Sequence, residues 1–428
     1  MANKKKSLPK ALSALTHAGF GLLLIGQALS LQGTWIQATA VRWLVLELWH
    51  SPFILGLLGA FRSLPMLLFS FWGGIIADRY PKLLVMIGAQ CLIFFQAFLL
   101  GILLTTNHLT VTWVLLLIFL FGCGMAFEVP ARQALFFELV GKEDITNALA
   151  LHSSAFNLAR FIGPAIAGLL MARGFMASCF YIKAASALVI IFILLLLTKR
   201  LKGVYKGNKN NQKTTPINAF KEAFLFVWQR PTMRMVLMMI LCFSVLLLPY
   251  SVLLPAFGKR VLGLGAKKYG FLCAANGLGA LLGAVSVALW GHLGTRSTWW
   301  WTGVILFPIS LIGFSISQNY YEALISILLA GSAMVITSTN SLSLLQLGST
   351  DELRGRIMGL FTTSFMGLFP LGSLIIGGIA EFFGSRIAIF SGAFLALVIV
   401  AYMFFRFRKR TKLLAAKGNL ETEDCSIV

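Results

Sequence analysis

A helix needs about 20 apolar residues to cross a hydrocarbon core about 30 Å thick, and runs of that kind recur in this chain from Ala18 to Arg406 with few polar interruptions. Twelve can be read, at about 18–45, 52–77, 83–105, 109–130, 148–172, 175–198, 233–257, 269–291, 298–317, 321–346, 357–382 and 386–405. Only 12% of the residues are charged and 58% are hydrophobic, whereas about a quarter of an ordinary soluble domain is charged. Lipid is therefore the solvent, and the expectation is an all-α membrane protein of twelve transmembrane helices.

A formal net charge of +22 would suggest nucleic acid in a soluble protein, so the position of each cation decides what it means. With twelve spans both termini share a side. That side holds twenty-six Lys and Arg, among them Lys4, Lys5, Lys6 and Lys10, a dense run from Lys199 to Arg234, and a tail from Arg406 to Lys417. The opposite loops hold six: Arg173, Lys259, Arg260, Lys267, Lys268 and Arg386. Cytoplasmic loops carry the excess of Lys and Arg, so both termini are expected in the cytoplasm. The bilayer accounts for the charge without a nucleic-acid partner. The basic start runs into the first span without a cleavage motif, which predicts an uncleaved first helix.

The polar stretch Lys199–Thr215 separates two blocks of six spans. The expected organisation is a cytoplasmic N-terminus over 1–17, a six-helix half over 18–198, a cytoplasmic linker over 199–231, a second six-helix half over 232–406, and a cytoplasmic tail over 407–428. Within the linker, Phe220, Ala223, Phe224 and Val227 repeat at helical spacing after Pro216, which predicts an amphipathic helix on the membrane surface. A weak internal repeat marks the halves as pseudo-symmetric: Glu138–Ile145 resembles Gln346–Leu353, and Gly74–Arg79 echoes Gly291–Arg296. Five cysteines, Cys91, Cys123, Cys179, Cys242 and Cys273, are scattered through the spans without metal or redox spacing. No metal site and no cofactor is expected. Cys425 begins a C-terminal Cys-Ser-Ile-Val that fits a prenylation box only in its letters.

The loop after the second span reads Gly74-Ile75-Ile76-Ala77-Asp78-Arg79-Tyr80-Pro81-Lys82. Its glycine permits close helix approach, and its acid and bases can pair with one another and with helix ends. This resembles the signature loop of the major facilitator superfamily, with Pro81 where a glycine is usual. Gly163-Pro164-Ala165-Ile166-Ala167-Gly168 in the fifth span is similar to the glycine-proline motif of exporters in that superfamily, with Ala167 replacing one glycine. The stretches Val129–Ala134 and Arg354–Gly359 look like the branch that contains the enterobactin exporter and the macrolide efflux proteins. The resemblance implies the major facilitator fold, no enzymatic activity, residence in a bacterial inner membrane, and alternating-access export of a small molecule with proton coupling. It further implies a gating set of Gly74, Asp78, Arg79, Lys82, Glu128, Arg132, Gly163, Pro164, Gly168 and Arg356, with Asp78 pairing near Arg356.

Charges inside the spans are costly and so mark candidate sites. They are Arg42, Arg62, Arg160 and Lys183. The resemblance puts the helices of the first three beside the central cavity. Lys183 is expected to snorkel to the outer interface, and Trp43 to anchor there. Polar or aromatic candidates for the same cavity include Gln32, Trp35 and Gln37 on the first span, Asn276 on the eighth and Asn340 on the tenth, although Gln and Asn there serve equally well as interhelix glue. No carboxylate lies near the middle of either half. That imbalance favours an anionic or polyhydroxylated ligand, such as a siderophore, over a lipophilic cation. Multidrug or macrolide efflux and lysophospholipid flipping remain as alternatives. His17, His50, His108, His152 and His292 are too dispersed to serve a membrane enzyme. The proton carrier stays open between His152, Glu128 and the substrate itself.

Overall fold

A computed structural model of the chain describes residues 10–17, 19–200, 216–291, 296–350 and 353–416. The basic start, most of the polar linker, Asp351, Glu352, His292 and Cys425 lie outside the described residues. The elements are a short 3-10 turn at Lys10–Thr16, then α1 (Phe20–Trp49), α2 (Pro52–Arg79), α3 (Lys82–Thr105), α4 (Val111–Ala172), α5 (Met176–Arg200), α6 (Pro216–Gln229), α7 (Pro231–Leu246) and α8 (Tyr250–Ala256). A π turn at Phe257–Val261 follows, then α9 (Ala266–Trp290), α10 (Arg296–Ile316), α11 (Tyr320–Leu347), α12 (Arg354–Gly367) and α13 (Phe369–Ala416). Among the described residues no strand occurs, and nine stretches are long and apolar enough to cross a membrane.

Two elements are too long for one crossing. α4 runs for 62 residues and α13 for 48. Each is interrupted at a glycine of positive φ, Gly141 at 72° and Gly384 at 85°, a conformation that costs a side-chain-bearing residue but not glycine. Both breaks fall between pairs of spans read from the sequence.

Two expected spans depart from a single straight helix. The seventh divides into α7, α8 and the π turn. Pro249 has no N–H to give to the Val245 carbonyl, and Leu248 N–H reaches back to Phe243 O at 2.8 Å instead. The freed Val245 carbonyl faces Gly372, where a Cβ would collide with it. The eleventh span is broken at Leu368, between α12 and α13.

The chain forms two compact units. The first comprises Met1–Val41 and Leu64–Asn210, and the second Arg42–Ser63 and Asn211–Val428. The hairpin of the first two spans, Arg42–Ser63, thus groups with the later half of the sequence rather than with a half cut at the linker. In that unit Glu381 accepts from Ser51 Oγ at 2.8 Å and from the Phe53 N–H at 3.0 Å, and Gly377 lies against Gly56, where neither has room for a Cβ.

The core of the first unit gathers Phe20 and Leu23 of α1, Leu83 and Met86 of α3, Leu135 and Phe136 of α4, and Ile190 and Leu194 of α5. In the second unit the buried aromatics Phe243, Tyr250, Phe257, Trp300, Phe307 and Phe314 fill the interior, and Trp300 satisfies its Nε1–H on Ser341 Oγ at 2.8 Å. α6 forms where the amphipathic pattern predicts it. Its Ala223 and Val227 are fully buried, with α7 and α12 packed beside the helix, while Leu225 and Trp228 are exposed. Part of the face assigned to the membrane surface is therefore covered by protein.

Candidate functional site

The candidate ligand residues divide between the units, with Gln32, Trp35, Gln37 and Arg160 in the first and Arg42, Arg62, Asn276 and Asn340 in the second. In the first unit the exporter-like glycine motif brings α4 against α1. A Cβ on Gly163 would stand 2.7 Å from Trp35 Cβ and 3.4 Å from Gln32 O. One turn earlier, the Arg160 guanidinium lies over the Trp35 ring at 5.7 Å, and Phe156 meets the same indole edge-on at 5.6 Å. Trp35 Nε1 and Gln32 Nε2 are both buried without a hydrogen-bond partner. Sequence reasoning selects Gln32, Trp35 and Arg160 separately; the fold makes them neighbours of one glycine.

Gln37 has a different role. Its amide exchanges hydrogen bonds with Gln96 of α3, 3.0 Å one way and 3.2 Å the other, and both side chains are buried. That is an interhelix tie, and Gln96 carries no sequence signal of it beyond being polar in an apolar run.

In the second unit Arg42 and Arg62 are partly buried and close enough to repel each other. The fully buried Tyr269 phenol of α9 faces Arg42 and Cys273. Asn276 donates to Tyr250 Oη at 2.5 Å and to Ile327 O at 3.4 Å, tying α9 to α8 and α11. Asn340 donates to the carbonyl of Ile336 within its own helix at 2.8 Å. Trp43 is 4% exposed and stacked on Tyr269 at 5.0 Å, with Lys259 Nζ 5.5 Å from its ring. The interfacial anchor expected of Trp43 is thus corrected to a packed aromatic, because a flat partner and a cation are available inside the unit.

Lys183 is corrected as well. It is 1% exposed, and its ammonium donates to Ser30 O at 3.2 Å and Ser30 Oγ at 3.1 Å. Gly33 leaves the room, since a Cβ there would meet Lys183 Cα at 3.1 Å. Acceptors on α1 within reach replace the water that snorkelling would seek.

Within the first unit the expected gating residues fall into separate ion pairs. Lys82 pairs with Glu138 at 2.8 Å. Arg132 pairs with Glu128 at 2.9 Å, both buried, while Gln27 of α1 donates to Glu128 at 3.1 Å. Arg356 pairs with Glu222 of α6; Asp78 and Arg79 are exposed. Gly74 touches nothing that a Cβ would disturb, and the close approach belongs to its neighbour Gly73, which abuts the Ala126 carbonyl. Gly163, Pro164 and Gly168 are buried. In the polar connection after Gly141, Asp144 accepts from Ser13 at 2.5 Å and meets His17 Nε2 at 2.6 Å. Those hydrogen bonds, Ser13's first and His17's second, hold its carboxyl below the usual carboxylate range. Among the described residues no group of three His, Cys, Asp or Glu is arranged to hold a metal ion.

Solved transporters share this architecture. The nucleoside transporter NupG superposes with a TM-score of 0.73 at 13% identity, covering 91% of this chain and 99% of the other. The peptide transporter POT in complex with sulfate superposes at 0.72 and 13% identity, covering 94% and 99%. Among curated proteins, the staphyloferrin A transporter of Staphylococcus aureus is 27% identical over 393 residues, 90% of this chain and 96% of that protein. The enterobactin exporter EntS of Shigella flexneri is 25% identical over 426 residues, 94% and 97% of the two chains. The model of the family described as transmembrane secretion effectors matches residues 9–422. This chain is therefore a transporter rather than an enzyme, and it belongs to the transmembrane secretion effector family of the major facilitator superfamily.

Proposed function

We propose that this protein is an alternating-access exporter of a small anionic metabolite, a carboxylate or catecholate siderophore, across a bacterial inner membrane, with proton movement coupled to transport. It crosses the membrane twelve times with both termini in the cytoplasm. The observation that carries the reading is the donor-rich face in the first unit, where the Arg160 guanidinium lies over Trp35 and the indole Nε1–H and the Gln32 amide N–H are buried without a hydrogen-bond partner. Buried N–H donors beside a guanidinium suit an anion or a hydroxyl-rich ligand, and leaving the Trp35 and Gln32 N–H groups unsatisfied is costly. Relatives named for staphyloferrin A and enterobactin support the same ligand class.

The test is siderophore recovery from iron-starved cultures of a deletion strain, inside and outside the cells. The expected outcome is loss outside with accumulation inside, restored by the wild-type gene but not by Arg160→Ala present in the membrane at equal abundance. Normal secretion by the deletion strain would sink the siderophore assignment. A drug-susceptibility panel and a lipid analysis would then decide between drug efflux and lysophospholipid flipping.

A further inference from the structure

The first unit contains an ionisable cluster that the donor face does not use. Glu128 stands in α4 two residues before Pro130, and only 2% of its side chain is exposed. One helical turn later Arg132 presents Nη1 to both carboxylate oxygens at 2.9 Å. Gln27 of α1 closes the third side: its Nε2 donates to Glu128 Oε1 at 3.1 Å, and its Oε1 accepts from the same Arg132 Nη1 at 3.4 Å. Arg132 thus spends one nitrogen on the carboxylate rather than the two of a fork, and a tenth of its side chain stays exposed. Its Nε and Nη2 donors are not spent on the carboxylate, which leaves them for a second anion.

The neighbouring charges leave the pair to itself. His152, on the later part of α4, lies near Arg132 and packs edge-on against Phe136 at 5.4 Å. Lys82 of α3 is held by Glu138, Asp78 and Arg79 at the end of α2 are exposed, and α1 contributes only the neutral Gln27.

As it stands the pair is neutral. An anion added at Arg132 would leave a net negative charge in a low-dielectric interior, and a proton added at Glu128 alone would leave a net positive one. Adding both restores neutrality. The binding of one therefore favours the other, and the linkage is reciprocal. Gln27 serves either state, because an amide can donate to a carboxylate or, turned over, accept from a carboxylic acid.

We propose that Glu128, Arg132 and Gln27 form a proton-linked anion site, in which an anionic group of the transported molecule takes Arg132 while Glu128 takes a proton from water, so that proton and anion bind together. The O–H bond forms at Glu128 as the Nη1 hydrogen bonds pass from its oxygens to the ligand, and the same exchange runs backwards on release. A polyanion accompanied by one proton keeps a net negative charge, which an inside-negative potential drives outward. The ligand class rests on the function proposed above; the proton site does not.

Infrared difference spectra of the full-length protein in lipid vesicles, taken across a pH titration, test the site without a ligand. Arg132→Gln removes the guanidinium from Glu128 as a bound anion would. It should show one carboxylic-acid carbonyl band per chain at neutral pH, where the wild type shows none. The band should vanish in Arg132→Gln/Glu128→Gln and persist in Arg132→Gln/Glu138→Gln, with thermal unfolding reporting that each variant is folded. An ionised Glu128 at neutral pH in folded Arg132→Gln would overturn the proposal. So would a band that survives Glu128→Gln. Should Arg132→Gln fail to fold, Arg132→Lys gives the same reading, with the band expected at a higher pH than in the wild type and an unchanged titration overturning the proposal. A failed secretion test would leave these spectra unaffected, so the two readings fall separately.

Discussion

The two units keep their helices together by different means. Among the described residues the buried charged side chains Lys82, Glu128, Arg132, Arg160 and Lys183 all belong to the first unit, whereas the second buries uncharged polar groups: serines, threonines, asparagines and the Tyr250 and Tyr269 phenols. The second unit relies instead on backbone meeting backbone. Gly279 abuts the Leu328 carbonyl, Gly331 abuts the Asn276 carbonyl, and a Cβ on Gly283 would come within 2.5 Å of Ser332 O. With little hydrophobic drive between helices in lipid, association falls to close packing and interhelical polar contacts. Each unit leans on one of these more than the other. Close packing is insensitive to protons and anions, while buried ion pairs respond to both. The chemistry of transport is accordingly expected to concentrate in the first unit.

Three substitutions can break or sharpen this contrast, beyond the Arg160 and Glu128 tests above. The largest effect is expected from Gly279→Val. The added side chain has no space against Leu328, and overpacking of this kind costs about 1–3 kcal/mol or more. Folded protein recovered by size-exclusion chromatography should fall severalfold. A normal yield would show that the second unit does not depend on the close approach. An intermediate effect is expected from Gly163→Ala, which puts a methyl group 2.7 Å from Trp35 Cβ. The first unit should lose only about 1 kcal/mol, yet transport should drop about tenfold as the donor face is pushed apart. Equal losses of yield and transport would make Gly163 purely structural.

The smallest effect is expected at the uncharged tie. Gln37→Leu leaves Gln96 buried with lost partners, at a cost of about 1–2 kcal/mol. The double change Gln37→Leu/Gln96→Leu should recover at least half of that, because no unmatched amide remains. Thermal unfolding of the single and double variants measures the difference, and export should persist in both. If the double variant is stable but inactive, Gln37 belongs with the ligand residues after all.

The exporter-like glycine and the intramembrane arginines were legible because each departs from its apolar surroundings. Their partners were not. Asn276 reads equally well as a ligand contact and as glue, and only the positions of Tyr250 and Ile327 make it glue. Gly73 and Gly74 are indistinguishable as letters, yet one abuts a carbonyl and the other faces nothing. The seventh span reads as one apolar run, and its break at Pro249 and the π turn that follows appear only in the structure.

The placement of apolar runs, the uneven sorting of cations between loops and the family motifs follow from the sequence by itself, because the cost of transferring a residue into lipid is nearly local and sums along a segment. The partner of each buried polar group was decided only by tertiary structure. Lys183 finds Ser30 across 153 residues, Arg356 finds Glu222 across 134, and Glu128 acquires Gln27 from a helix 101 residues away. Hydrogen bonds act over about 3 Å, so whether a lysine snorkels, an arginine latches or a carboxylate can exchange a proton depends on which distant atoms packing brings within that reach.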